Sequence, residues 1–239
     1  MSKYNRNNFL ALGLIIGSLF FMGCPTPPEF PNTPAISFRD VSFEKRPIEA
    51  QPNVTEDVIT ITLGFEDGDG DLGLASSDIE QPYNQFFVPI DIEGFPIFIG
   101  DSDTLPPFNP LDYLVFPEDD TVIVGNARLS GDTIYIERNP RFYNIFIDMY
   151  YKPTNDSEFI KFDWEGPPYY QSFNGRFPIL NTEDYERPLN GELSYELKSS
   201  GFSSVFRDSE VKIETYILDR AGNKSNVIQS DPIKLEVPE

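Results

Sequence analysis

Asp67, Asp69 and Asp71 stand at alternate positions in the run Glu66-Asp-Gly-Asp-Gly-Asp-Leu-Gly73, each separated from the next by one glycine. Glycine leaves the backbone free to curl, so three carboxylates spaced this way can turn inward around one cation. Without a cation they mainly repel one another. Calcium takes six to eight oxygens in flexible geometry, and this loop could supply about half of them. A solvated Asp-Gly turn is the plainer alternative.

The run begins like an EF-hand loop, with Asp67, Asp69 and Asp71 at the first three ligand positions. It then departs from that pattern. Leu72 stands where an EF-hand has glycine, Asp78 stands where it has a bidentate glutamate, and a strand rather than a helix leads in. A calcium loop at the end of a strand is the expected form.

Aromatic residues make the second candidate site. Asp163-Trp-Glu-Gly-Pro-Pro-Tyr-Tyr170 sets the only tryptophan beside two acids and two tyrosines. Trp164, Tyr169 and Tyr170 could stack on a sugar ring or bury themselves in a partner protein. They could equally fill the core.

Other chemistry has little to work with. The chain holds no histidine, which removes the usual base for a serine or cysteine nucleophile and most zinc or copper sites. It has no phosphate-cradling glycine loop with lysine and no dinucleotide fingerprint. A carboxylate pair could hydrolyse glycosides, but 39 acidic residues hide any such pair among surface charge. The expectation is a protein that is not an enzyme.

The elements that position these residues begin after an export signal. Met1 to Asn8 carries Lys3 and Arg6 and no acid, and Phe9 to Met22 is an unbroken apolar or small run of 14 residues. That is too short to span a bilayer comfortably and suits the hydrophobic region of a signal peptide. Cys24 follows Gly23 and is the only cysteine. Phe21-Met22-Gly23-Cys24 resembles the lipobox of bacterial lipoproteins, with Phe21 where leucine is usual. The resemblance implies removal of residues 1–23, a lipid anchor on Cys24 and tethering to a membrane, which several acyl chains hold firmly.

Removing residues 1–23 discards Lys3 and Arg6 and no acid, so 16 basic residues face 39 acidic ones in the remaining 216, a net charge of −23. Such a surface repels nucleic acid and anionic lipid and favours cations. One cysteine permits no internal disulfide.

Residues 24–34 form a proline-rich tether, expected to be extended and stiff. From residue 35 to 239 strand patterns dominate. Ile36 and Phe38, then Val41 and Phe43, alternate. In Asp57–Glu66, Ile59, Ile61, Leu63 and Phe65 share one face. Prolines scattered from 82 to 117 predict an insertion around 75–130 built of edge strands. Asn144–Lys152 and Glu158–Trp164 predict a hairpin, and Gly191–Lys198, Glu210–Leu218 and Val227–Val237 complete the set. After the signal peptide nothing sustains a helical period. The expected fold is all-β: an immunoglobulin-like antiparallel β-sandwich with a long insertion.

The last strands carry a resemblance. Leu189–Leu197 and Val211–Asn226, with its Asp-Arg-Ala-Gly-Asn-Lys-Ser turn, resemble immunoglobulin-like bacterial domains. Taken with Phe65–Gly73 they are similar to lipoproteins of the Bacteroidota. The resemblance implies a cell-envelope location, at the outer membrane, and no particular activity. Only Glu29 lies close behind Cys24, so the periplasmic and surface sides stay open. Asp103-Thr-Leu, Asp120-Thr-Val and Asp132-Thr-Ile also resemble the O-glycosylation sequon of exported proteins in that group.

In an immunoglobulin-like sandwich the second and sixth strands run the same way, so the loops after them share a pole. This places the triple-aspartate loop near Asp219 and Asn223 and predicts a calcium ion held by Asp67, Asp69, Asp71 and Asp219. Asp219 making only a local turn hydrogen bond is the alternative. A binding or accessory role follows, toward an envelope protein or a glycan.

Overall fold

A computed structural model describes residues 29–101, 105–182 and 187–235. The signal peptide, Cys24, the first residues of the tether and the Asp103 sequon lie outside the described residues. Among those described, no helix is long and apolar enough to cross a membrane.

The chain is nearly all β, in open antiparallel sheets. Strands β1 (Ala35–Ile48) and β2 (Gln51–Asp67) form a long hairpin, and β11 (Leu189–Ser199) pairs with the other edge of β2. The second sheet has the order β10 (Ile160–Lys161), β9 (Ile145–Tyr151), β12 (Glu210–Ile217), β13 (Ile228–Gln229), with β14 (Ile233–Lys234) also on β12. Together the two antiparallel sheets make a β-sandwich.

Side-chain period explains why the sheets face each other. On β2, Ile59, Ile61, Leu63 and Phe65 are buried; on β12, Val211, Ile213 and Ile217 are. On β1 the apolar alternation changes phase between Phe38 and Val41. The structure absorbs this with a register shift between Phe38 and Asp40. One extra residue in the strand keeps Phe38, Val41 and Phe43 packed on the same core.

A short helix, α1 (Phe202–Phe206), lies between β11 and β12. Five residues are too few for a helical period to register, so the sequence pattern gives no sign of it. Its Phe202 and Phe206 plug the core beside Trp164 and Phe173. Asp57 holds the helix start, accepting the Ser203 backbone N–H at 2.6 Å.

Between β2 and β9 the chain makes a long excursion, wider than residues 75–130 at both ends. It carries β3 (Phe86–Phe87), β4 (Tyr113–Val115), β5 (Val122–Val124), β6 (Ala127–Leu129), β7 (Thr133–Tyr135) and β8 (Glu137–Arg138). These pair as three separate two-stranded sheets, β3–β8, β4–β7 and β5–β6. A small core of Ala127, Leu129, Ile134 and Ile136 holds them, separate from that of the sandwich.

Candidate metal centre

The acidic loop grows from the last residue of β2. Asp67 ends that strand with its side chain wholly buried, and the chain then turns through Gly68–Gly73. Gly70 has φ +68, and a Cβ there would lie 2.2 Å from the Arg187 carbonyl oxygen, so only glycine fits. The tight turn brings the Asp71 backbone N–H onto Asp67 Oδ2 at 3.0 Å.

Asp219 follows β12 in the opposite sheet. Its turn closes locally: Asn223 donates its backbone N–H to Oδ1 and its side-chain amide to Oδ2, both at 2.7 Å. The same turn reaches across to the acidic loop. Ala221 N–H donates to Asp71 Oδ2 at 3.0 Å, and Arg220 N–H donates to the Asp71 carbonyl at 3.3 Å.

The loops after β2 and β12 therefore meet at one pole of the sandwich. One carboxylate oxygen each from Asp67, Asp71 and Asp219 lie within 4.8 Å of one another. Asp69 stands outside that trio, although its Oδ1 is also buried. The Oδ1 atoms of Asp67, Asp69 and Asp71 have no hydrogen-bond partner; among the described residues the one other buried side-chain atom in that condition is Thr215 Oγ1. Buried polar atoms are almost always paired, so three orphans in one loop mark a place built for something else.

The electrostatics agree with the geometry. Burial pushes the Asp67 carboxyl up to about 7, helped by repulsion from Asp69, Asp71 and Asp219 and opposed by the Asp71 N–H. Burial likewise raises Asp71, with Asp219 and Asp69 adding to it. Arg220 does not neutralise the trio with its Nη1, which donates to Asp78 Oδ2 at 2.6 Å and holds that carboxyl below the usual range. Asp78 also caps the Ala75 N–H, so it serves the loop's exit and lies outside the trio.

The three donors are all carboxylate oxygens, and the chain holds no histidine. Such a set suits a hard divalent cation, and calcium accepts oxygen ligands in more flexible geometry than the strict octahedron of magnesium. An ion held there would tie the end of β2 in one sheet to the end of β12 in the other. It would also sit at the root of the insertion, where Tyr83 Oη and Arg141 Nη2 both donate to the Arg220 carbonyl at 2.8 Å. The roles of Arg220 and Asn139 were not visible in the sequence pattern. Asn139 is buried and donates to the carbonyls of Pro82 and Asn84, closing the insertion's base.

The aromatic residues are placed differently. Trp164 is buried, with its Nε1 on Met149 Sδ at 3.2 Å and its ring against Phe162, Phe173, Phe202 and Phe206. The ring is therefore mainly a core residue, and only its remaining accessible part contributes to the cleft beside it. Tyr169 is 41% exposed and lies edge-on to Trp164. Tyr170 adopts a positive φ of 47 in the turn that returns the chain to the core. Beside them a cleft of about 300 Å³ opens on the second sheet, lined by Phe146, Asp148, Lys161, Glu165, Asn174 and Tyr216 among others. Phe146 and Tyr216 stack on each other at 4.5 Å, and Lys224 Nζ covers the Tyr216 ring at 3.7 Å, so these rings already have partners.

Fold and site together define an antiparallel β-sandwich with an acidic pole where two strand ends meet. No protein-family model, curated protein or solved structure matches the chain.

Proposed function

We propose that this chain is a non-enzymatic binding or accessory module of the cell envelope, tethered by lipid at Cys24 and stiffened by a calcium ion at Asp67, Asp69, Asp71 and Asp219. The observation that carries the cation is the set of three buried Oδ1 atoms without partners. Leaving one buried polar atom unpaired costs about 1–3 kcal/mol, more if it is charged. One bound cation would relieve all three and the mutual repulsion of the carboxylates.

The tether rests on the order of basic residues, apolar run, Gly23 and Cys24. A rigid scaffold at the end of a lipidated, proline-rich stalk suits display toward another envelope component.

Thermal melts of the full chain with millimolar calcium and then with a chelator test the cation. At calcium 100 times its dissociation constant the gain is about 2.7 kcal/mol. Asp69→Ala should shrink the shift. Asp67→Asn should remove it while raising the melting temperature of the ion-free protein, because one repelling charge is gone. Equal melts with and without calcium would reduce the loop to an acidic turn that keeps a proton.

A further inference from the structure

Thirteen large apolar side chains stand exposed among the described residues, and nine of them fall within residues 75–130. They are not scattered along floppy chain. The turn Asp91–Phe95 closes with the Asp91 N–H on the Phe95 carbonyl, and Asp91 Oδ1 accepts from Glu93 and Phe95. The β5–β6 turn is bolted beside it: Asn126 donates its backbone N–H to the Gly94 carbonyl and its amide to the Glu93 carbonyl, both at 2.8 Å.

Side by side, the two turns form a tip that presents Ile90, Ile92, Phe95 and Ile123. Ile92 is fully exposed and Ile123 is 75% exposed. Val124, next to Ile123 on β5, packs into the small core. The strand therefore spends one face on its own stability and turns the other outward. Turns already fixed by hydrogen bonds lose little freedom on binding, and exposed apolar surface of this kind marks interaction sites.

Charge selects the partner. Residues 75–130 hold ten acids and one base, Arg128, which sits across the ladder from Ile123. The rest of the mature chain holds 29 acids and 15 bases, so the insertion is far the more one-sided. A second copy would bring like charge against like, and an anionic lipid surface would be repelled in the same way. We propose that the tip of the insertion docks onto a protein surface that is apolar at its centre and rimmed by lysine or arginine.

The test uses the full chain in a non-ionic detergent and three short fluorescent peptides of equal length: alternating Leu-Lys, alternating Leu-Glu and alternating Ser-Lys. The Leu-Lys peptide should bind best, and more weakly as salt rises. Ile92→Ser with Ile123→Ser should weaken that binding about tenfold (~1.4 kcal/mol). Val54→Ser with Val227→Ser, which removes exposed apolar groups from the sandwich instead, should leave it unchanged. Equal binding of Leu-Lys by the tip variant would overturn the proposal. So would Ser-Lys binding as tightly as Leu-Lys, or Leu-Glu binding as tightly as Leu-Lys. None of these readings depends on calcium, so failure here and failure of the cation are separable.

Discussion

The sandwich and its insertion solve the same problem by opposite means. In the sandwich, long strands such as β2 and β12 bury one face each, and twenty buried residues form a continuous core that includes Trp164 and both phenylalanines of α1. In the insertion the strands are two or three residues long, four buried residues make the core, and nine of the thirteen exposed large apolar side chains among the described residues are found there. Polar contacts carry what packing does not: Asn139 at the base, Asn126 at the tip, and Arg138, whose guanidinium reaches Asp112 and Glu165 at 2.9 Å. A region that spends its apolar residues on its surface must be held by hydrogen bonds to its neighbours, and the acidic pole lies where those bonds begin.

The sharpest way to break the contrast is to cut into the larger core. Phe206→Ala removes a ring that touches Tyr151, Phe162 and Trp164, and should cost about 3–5 kcal/mol in a denaturant melt. A loss below about 1 kcal/mol would mean that α1 is not part of the cooperative core.

A smaller effect should come from pH. In the folded, ion-free chain Asp67 is raised to about 7 from an ordinary value of 3.8, so the folded state holds its proton more tightly than the unfolded state does. That stability is fully present below about pH 4 and is lost as the pH rises through 7. With a chelator present, the melting temperature should fall between pH 5 and 8, and Asp67→Asn should flatten the fall. Calcium, which needs the carboxylates ionised, should reverse the slope. A chelated protein whose stability rises across that window would contradict the raised carboxyl.

The smallest global effect belongs to the insertion. Leu129→Ala truncates its small core, with a local cost of about 2–5 kcal/mol. Hydrogen exchange should rise in β5 and β6 while β2 and β12 stay protected, and the main thermal transition should hardly move. If the whole molecule melts earlier by an amount like that of Phe206→Ala, the two regions are a single cooperative unit.

Much of this architecture was legible before any coordinates. Alternation marked β1, β2, β9, β11 and β12, whereas the bulge after Phe38 shows only in the strand register. The meeting of the Asp67 loop with Asp219 followed from the parallel course of two strands in a sandwich. The insertion was legible chiefly as a region rich in proline, with order returning at Thr121–Val124, where β5 runs. Its strands are too short for a period to show, and β7 pairs with β4 inside the excursion. Trp164 misleads for a related reason. A tryptophan among prolines and acids has the local look of a surface loop, and its burial depends on α1, which comes almost forty residues later.

By itself the sequence determined what nearest neighbours and side-chain period determine: strand positions, the faces they bury, the charge of the surface and the spacing of three carboxylates. Only the tertiary structure decided which of those carboxylates lose their water, because burial depends on chain segments far apart in sequence. Asp67 is sealed beneath a loop whose Gly70 abuts the Arg187 carbonyl and faces Asp219 from the other sheet. Asp78, eleven residues further along, is neutralised instead by Arg220. The same residue type becomes a cation ligand candidate or an ion-pair partner according to what the fold brings within reach of its oxygens.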